Sequence, residues 1–250
     1  MPIYDSDRVE YEITSGHIHI IMEGGKPLPA YWAHPNVGRK FPAVALIHDW
    51  WGITPIIRRM THHFAQAGYY VIVPDLFDGN VATTPQEAMD LVKGLRDEGF
   101  PRVDAALTAL ETHHNTNRDV AAVGIGMGGS LAFEAAIERQ DLEAAVAYYG
   151  FPQRYLGRFR QANTPILAVF GDHDEHISVE IITKLRRELA ANTHGLAHEV
   201  LLLEGGDHNF FADTSNEAQR EKGRQALDRT FTFLDKYLKG PQRTTSAPEY

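Results

Sequence analysis

The chain has 250 residues, a formal net charge of −9 and no cysteine. The acidic balance argues against a non-specific nucleic-acid binder, which needs a basic surface. The lack of cysteine excludes disulfide bonds, thiolate metal sites and a cysteine nucleophile. The first residues show no secretory signal, and no apolar stretch approaches the roughly 18 residues that span a bilayer. We therefore expect a cytoplasmic protein that binds neither membrane nor nucleic acid.

The N-terminal region contains two short extended segments. Residues 9–21 alternate loosely between apolar and polar types, which is typical of a strand at the edge of a sheet. Gly24 and Gly25 predict a turn into a second short strand over 28–33. We expect these two segments to pair as N-terminal antiparallel edge strands.

From residue 43 onward the pattern changes to continuous apolar runs, which are typical of strands buried on both faces. The runs lie at 43–47, 70–73, 120–123, 144–149, 166–170 and 199–203. Helical patterns separate or follow them at 55–67, 85–95, 102–114, 131–139 and 179–191, and a last helix follows a capping box at Thr214 and Glu217. This alternation predicts an α/β fold, with a mostly parallel central sheet and helices on both faces.

The domain organisation follows from the same pattern. The chain shows no internal repeat and no linker. We expect a single domain over residues 1–239. The polar, proline-bearing segment 240–250 is predicted to be a loose C-terminal tail.

A glycine cluster follows the 120–123 strand and precedes an alanine-rich helical pattern. This strand–turn–helix context is where α/β-hydrolases place a nucleophile, in the pattern G-x-Nuc-x-G. Gly124 and Gly128 occupy the two glycine positions, and Gly126 stands between them. The turn is therefore predicted without its nucleophilic side chain. Ser130 lies one helical turn further on, so we do not expect its hydroxyl at the tip of the turn.

Polar residues follow three other strands. Asp49 follows the 43–47 strand, Asp174 the 166–170 strand and His208 the 199–203 strand. Ligands of parallel α/β sheets bind at the carboxyl ends of the strands. The chain order of turn, acid and histidine is that of the α/β-hydrolases.

The chain resembles the dienelactone hydrolase family from about residue 11 to residue 238. The most specific part is 48–79, which reads HDWWGITPIIRRMTHHFAQAGYYVIVPDLFDG. The turn that ends at Asp174 and the turn around His208 also match. The resemblance implies an α/β-hydrolase fold and hydrolysis of a carboxylic ester or lactone without a metal or cofactor.

The resemblance also implies a role for each matched residue. His208 corresponds to the general base and Asp174 to the acid that orients it. The backbone N–H groups of Trp50 and Met127 correspond to an oxyanion hole. The predicted pocket residues are Asp49, Trp51 and Phe210. The family usually has a glutamate where this chain has Asp49.

Gly126 departs from the family pattern. Loss of a triad nucleophile costs on the order of 10⁶ in kcat, so covalent acyl-enzyme catalysis is predicted to be lost. The turn holds this residue in a strained conformation that costs roughly 1–3 kcal/mol for other residues. Glycine avoids that penalty, so we expect the fold to tolerate it.

A second departure concerns the substrate. Dienelactone-cleaving members bind a substrate carboxylate through arginines in two places. Here those places read 77–80 and 211–213, and each contains an acid and no arginine. We therefore expect an anionic dienelactone to be repelled.

Three functions remain open at this stage. The chain is an ester or lactone hydrolase scaffold that has lost its nucleophile, a non-catalytic binder of a small ester-like ligand, or a hydrolase in which His208 and Asp174 act on water directly. The acidic and histidine-bearing loop at 172–176 is interpreted as solvated rather than metal-binding. Trp50 and Trp51 are interpreted either as pocket walls or as packing beneath the turn. A monomer or a homodimer is expected.

Overall fold

The structure, a computed structural model, describes residues 10–211 and 216–240. Its centre is an eight-stranded sheet with the order β1-β2-β4-β3-β5-β6-β7-β8. The strands are β1 (Ile13–Ile21), β2 (Pro27–Pro35), β3 (Phe41–Ile47), β4 (Tyr70–Pro74), β5 (Thr116–Ile125), β6 (Ala144–Tyr148), β7 (Ile166–Gly171) and β8 (Glu199–Leu203). All six apolar runs predicted from the sequence are strands of this sheet.

The first two strands differ from the others in direction. β1 pairs antiparallel with β2, from Ile13 opposite Pro35 to Ile21 opposite Pro27. β2 pairs antiparallel with β4, and the strands from β4 to β8 pair in parallel. The predicted α/β fold, with a mostly parallel sheet and N-terminal antiparallel edge strands, is confirmed.

Six α-helices within the described residues connect and cover the strands. They are α1 (Pro55–Gln66), α2 (Pro85–Leu95), α3 (Gly99–Thr112), α4 (Met127–Glu138), α5 (Val179–Ala190) and α6 (Glu217–Tyr237). The phenyl rings of Phe64 in α1 and Phe231 in α6 lie 5.1 Å apart between centroids, so these two helices pack together. α3 and α4 contact each other over β5. No helix in the described ranges is long and apolar enough to cross a membrane.

Several helix ends carry the capping residues that their sequences predict. Thr54 caps α1 ahead of Pro55, and Thr84 and Glu87 form a reciprocal capping box on α2. For α6, the predicted capping residue Thr214 lies outside the described residues. The N-cap in the structure is Asn216, whose side chain accepts hydrogen bonds from two backbone N–H groups of the first turn.

The start of α4 differs from the prediction of 131–139. The helix begins at Met127, directly after the glycine turn, and continues to Glu138. The pattern hid this start because Gly128 and Gly129 have low intrinsic helix propensity. Tertiary packing overrides that propensity, because a Cβ on Gly128 would lie 2.2 Å from the carbonyl oxygen of Ile47 and a Cβ on Gly129 would lie 2.8 Å from that of Tyr148. The predicted tail begins where the described residues end, and the single-domain prediction stays a prediction.

Candidate active site

The turn between β5 and α4 has the geometry of a nucleophile elbow. Gly126 has φ 55° and ψ −113°, a left-handed conformation that residues with a side chain rarely adopt. Its backbone N–H donates to the carbonyl oxygen of Tyr148 at 2.9 Å. The strand, the strained residue and the helix therefore follow each other without an intervening loop.

The two flanking glycines are required by close backbone contacts. A Cβ on Gly124 would lie 2.0 Å from the carbonyl oxygen of Gly128, and a Cβ on Gly128 would lie 2.2 Å from that of Ile47. At Gly126 the situation is different, because a Cβ there would meet its nearest neighbours at 3.6 Å. That is an ordinary van der Waals distance. Gly126 is therefore not needed to make room.

The predicted acid and base lie together. Nδ1 of His208 is 2.7 Å from Oδ2 of Asp174, and the Asp174 side chain has no exposed surface while that of His208 is 13% exposed. The carboxylate can only accept when ionised, so Nδ1 of His208 is the donor and the neutral ring presents an unprotonated Nε2. This is the tautomer of a general base.

Asp174 is held in its ionised form by three donors. Its Oδ1 accepts hydrogen bonds from the backbone N–H groups of His176 at 2.8 Å and Ile177 at 2.9 Å. Burial alone would raise the pKa of Asp174, but the bonds from His208 and from these N–H groups outweigh burial and lower it. Asp174 is therefore an ionised partner that can stabilise a protonated His208.

The two predicted oxyanion donors are backbone groups of different loops. Met127 is the first residue of α4, where an N–H has no acceptor within the helix. Trp50 lies in the loop between β3 and α1. In the part of the chain that the structure describes, neither N–H donates to another group.

A buried histidine fixes the loop that carries Trp50. His48 has no exposed surface, and its Nε2 accepts from the N–H of Leu76 at 3.0 Å. Its Nδ1 therefore donates to the carbonyl oxygen of Asp49, 2.7 Å away. Burial lowers the pKa of His48, so it stays neutral. The sequence did not reveal this role, because the partner residue lies on another strand end.

Most of the chain matches the model of a known family. The model of the dienelactone hydrolase family matches residues 28–238. The chain belongs to the dienelactone hydrolase family. Protein usf of Aquifex pyrophilus is 26% identical over 226 residues, which cover 86% of this chain and 96% of that protein. A putative carboxymethylenebutenolidase of Aquifex aeolicus (strain VF5) is 24% identical over 208 residues, with 79% and 89% covered.

Solved structures of family members have the same fold. A putative dienelactone hydrolase from Klebsiella pneumoniae superposes with a TM-score of 0.79 at 24% identity, over 90% of this chain and all of that one (100%). The dienelactone hydrolase-like promiscuous phosphotriesterase P91, from metagenomic libraries, gives 0.77 at 17% identity, with 91% and 99% covered.

The Cβ of Asp49 is 3.6 Å from the point that a Cβ on Gly126 would occupy. Its Oδ1 accepts from the backbone N–H of Trp51 at 2.9 Å. Burial raises the pKa of Asp49 to about 6, against the effect of the Trp51 N–H. A carboxyl group that titrates near neutral pH therefore borders position 126.

Tyr149 lies on the other side of position 126 from Asp49. It has φ 39°, and its Cε2 is also 3.6 Å from the ideal Cβ position at Gly126. Its ring centroid lies 5.0 Å from those of both His208 and Phe210. Burial, followed by the nearby Asp49, raises the pKa of Tyr149 well above its ordinary value, so the phenol stays protonated. Tyr149 is thus a wall of the site.

The remaining predicted pocket residues are also near this site. Phe210 is 1% exposed and packs edge-on against Tyr149. The rings of Trp50 and Trp51 contact each other at 5.1 Å between centroids, and both residues are half-buried. Both tryptophans are therefore partly accessible to solvent, and their assignment as pocket walls stays a prediction.

Ser130 does not reach the tip of the turn. Its side chain is buried. Its Oγ accepts from the backbone N–H of Phe151 at 2.9 Å and lies 3.4 Å from the carbonyl oxygen of Gly126, to which it donates. The hydroxyl is therefore committed to linking α4 to the loop after β6.

The acid in segment 77–80 is Asp78, and the prediction that it repels an anionic substrate needs correction. Both carboxylate oxygens of Asp78 accept from the guanidinium of Arg102, at 2.8 and 3.0 Å. Arg102 is buried and also donates to the carbonyl oxygens of Asp75 and Leu76. The charge of Asp78 is therefore balanced by a residue 24 positions away in the sequence, which a local pattern does not reveal. The other acid of that prediction, Asp213, lies outside the described residues.

A cavity of about 570 Å³ opens beside His208. Its described lining residues are His173, Glu175, His176, Asp207, His208, Asn209 and Gln219. Within residues 10–211 and 216–240, no group of three or more histidine or acidic side chains has the geometry of a metal site. Among these described residues there are two carboxylates and no arginine or lysine.

Alanine substitutions should distinguish the steric requirements at the three glycines of the turn. Gly124→Ala and Gly128→Ala should each lower the free energy of unfolding by about 3–5 kcal/mol, because the new Cβ overlaps backbone that cannot move aside. Gly126→Ala should cost only about 1–3 kcal/mol, from backbone strain alone. Urea unfolding of the three variants measures this difference. Equal losses at all three positions would contradict the contacts described above.

The raised pKa of Asp49 predicts a pH-dependent stability. The folded chain holds this proton more tightly than the unfolded chain, so Asp49 reduces stability as the pH rises from about 4 to about 6. Asp49→Asn keeps an acceptor for the Trp51 N–H and removes the charge. Its free energy of unfolding should exceed that of the original chain by about 1–3 kcal/mol at pH 8. Below about pH 3.8 the two free energies should be equal.

The control for this prediction is Asp97→Asn, at an exposed position. That change should alter the free energy of unfolding by less than about 0.5 kcal/mol at either pH. Denaturant unfolding at both pH values measures all three proteins. An Asp49→Asn variant that is no more stable than the original chain at pH 8 would contradict a raised pKa of Asp49.

Proposed function

We propose that this chain binds a carboxylic ester or lactone in a dienelactone-hydrolase-type site and, as written, forms no acyl-enzyme. Membership of the family supports the hydrolase scaffold. The observation that carries the proposal is the hydrogen bond of 2.7 Å between His208 and Asp174 next to a turn that has no nucleophilic side chain. The acid–base pair and the turn are in place, and the hydroxyl or thiol is missing.

The ligand is positioned by its carbonyl group. The N–H groups of Trp50 and Met127 donate to the carbonyl oxygen and stabilise negative charge that develops there. The alcohol portion of the ester lies toward His208 and the cavity beside it. An uncharged ligand is favoured, since that cavity contains Glu175 and Asp207 and no cationic arginine or lysine among its described residues. Asp49 adds a negative charge above about pH 6.

A second function is favoured by the intact acid–base pair. In this alternative, His208 removes a proton from a water molecule that attacks the bound carbonyl carbon, and Asp174 stabilises the resulting imidazolium. The ordered donors around Asp174 support it, because they hold His208 in the tautomer that a base needs. Turnover by this route is expected to be slow, since a triad without its nucleophile retains only residual catalysis.

Restoring a nucleophile tests the proposal. With p-nitrophenyl acetate, Gly126→Ser and Gly126→Cys should raise kcat/KM at least about 100-fold above the chain as given, because the hydroxyl or thiol completes the triad. Gly126→Ala is the matched control, since it introduces the same backbone strain without a nucleophile, and it should show no gain. His208→Ala in the Gly126→Ser background should remove the gain.

Two results would contradict this account. One is a folded Gly126→Ser variant with no more activity than Gly126→Ala. The other is multiple turnover by the chain as given at the rate of the Gly126→Ser variant. Activity of the chain as given that is slow and disappears with His208→Ala would favour direct attack by water over binding alone.

A further inference from the structure

A series of hydrogen bonds leads from the backbone of Trp50 into the protein interior. The carbonyl oxygen of Asp49 and the N–H of Trp50 belong to one planar trans peptide unit, so they point in opposite directions. Nδ1 of His48 donates to that carbonyl oxygen at 2.7 Å. The bond from His48 therefore sets the direction in which the Trp50 N–H points.

A second peptide unit continues the series at the end of β4. Nε2 of His48 accepts from the N–H of Leu76 at 3.0 Å, and this N–H shares its peptide unit with the carbonyl oxygen of Asp75. Nη1 of Arg102 donates to that oxygen at 3.3 Å. The guanidinium, the Asp75–Leu76 peptide, the His48 ring and the Asp49–Trp50 peptide thus form a relay in which every group donates toward the Trp50 N–H.

The guanidinium that begins this relay is fixed in place. Arg102 is 5% exposed, and its Nη1 also donates to the carbonyl oxygen of Leu76 at 3.2 Å. Its two terminal nitrogens donate to the carboxylate of Asp78 at 2.8 and 3.0 Å. Asp78 has a left-handed φ of 52°, a conformation that surrounding contacts must hold in place. The ion pair therefore orders the loop after β4 at the point where the relay begins.

The loop after β3 and the loop after β4 also contact each other at two further points. The backbone N–H of Ala82 donates to the carbonyl oxygen of Trp51 at 3.0 Å. A Cβ on Gly52 would lie 2.6 Å from the carbonyl oxygen of Asn80. The loop that carries Trp50 is therefore packed directly on the loop that Arg102 binds, and a shift of one loop displaces the other.

The common direction of the bonds has an electrostatic consequence. A cation that binds the Asp75 carbonyl oxygen makes the Leu76 N–H a stronger donor, and the same effect passes through His48 to the next peptide unit. Successive hydrogen bonds of this kind strengthen one another by roughly 10–30% per bond. The opposite charge of Asp78 is screened by solvent, because its side chain is 57% exposed while that of Arg102 is 7% exposed.

We propose that Arg102 is a positioning residue of the oxyanion hole, which aims and polarises the Trp50 N–H through this relay. This inference rests on the proposed ester-binding function. Arg102 does not touch the ligand. An oxyanion accepts a stronger hydrogen bond than a neutral carbonyl group, so the relay stabilises the transition state more than the bound ester. Loss of Arg102 therefore lowers kcat more than it raises KM.

The test measures hydrolysis of p-nitrophenyl acetate in the Gly126→Ser background. Adding Arg102→Met keeps an aliphatic stem and removes every donor. It should lower kcat about tenfold or more and change KM less than about twofold. Arg102→Lys keeps a cationic donor without the planar fork, so its kcat should lie between those of the other two proteins.

The matched control is Arg139→Met in the same background. The Arg139 side chain is 9% exposed and pairs with Asp104 and Glu111, but it lies at the C-terminal end of α4 and takes no part in the relay. Its loss should lower stability in urea unfolding and leave kcat within about twofold. A purely structural role of Arg102 would give the same result as this control.

A second measurement uses the chain as given and needs no activity. ¹⁵N NMR of the His48 ring should show the proton on Nδ1. The backbone amide nitrogen of Trp50 should move upfield in Arg102→Met and less in Arg102→Lys, because the Asp49 carbonyl group is then less polarised. The amide nitrogen of the exposed Asp97 should not move.

The inference is overturned if Arg102→Met leaves the kcat of Gly126→Ser unchanged, if Arg139→Met lowers kcat equally, or if His48 carries its proton on Nε2. If Arg102→Met does not fold, an unchanged kcat in Arg102→Lys overturns it instead. An active Gly126→Ser variant that is insensitive to Arg102→Met removes this inference alone. A Gly126→Ser variant that folds and is inactive removes the proposed function, and this inference with it.

Discussion

The site depends on the close contact between the backbones of β3, β5 and α4. The carbonyl oxygen of Ile47 at the end of β3 lies where a Cβ of residue 128 would be, and the carbonyl oxygen of Gly128 lies where a Cβ of residue 124 would be. This contact sets the position of the turn, the direction of α4 and the place of the Met127 N–H. Gly124 and Gly128 are therefore required by close backbone contacts, whereas Gly126 is not.

Hydrogen bonds fix several of the groups near Gly126. His208 and Asp174 are hydrogen-bonded, and the loop that carries Trp50 is locked by the buried His48. The protonated phenol of Tyr149 and the carboxyl group of Asp49, with a pKa of about 6, lie next to Gly126. The site therefore contains ionisable side chains although residue 126 has no side chain.

The sequence predicted the features that depend on local pattern. The continuous apolar run of β3 and the glycine spacing around Gly126 each mark their element within a few residues. Asp174 and His208, each placed after a predicted strand, are hydrogen-bonded in the fold. The start of α4 was missed because glycines 128 and 129 obey packing rather than helix propensity.

Features that depend on distant partners were not predictable in this way. The ion pair of Asp78 with Arg102 joins the loop after β4 to α3. It balances the charge of an acid that the sequence alone presents as repulsive to an anionic ligand. The left-handed conformation of Tyr149 follows from the close packing of Gly150 against α4. Neither the ion pair of Asp78 nor the backbone conformation of Tyr149 can be read from the local sequence, so only the folded chain reveals them.

The central claim is that the chain keeps an acyl-transfer site but has no nucleophile of its own. Labelling with an active-site-directed fluorophosphonate, read by intact mass spectrometry, tests this most directly. The account predicts an unmodified mass for the chain as given and one adduct, at residue 126, for Gly126→Ser. A stoichiometric adduct on the chain as given, at Ser130 or at any other residue of the site, would contradict it.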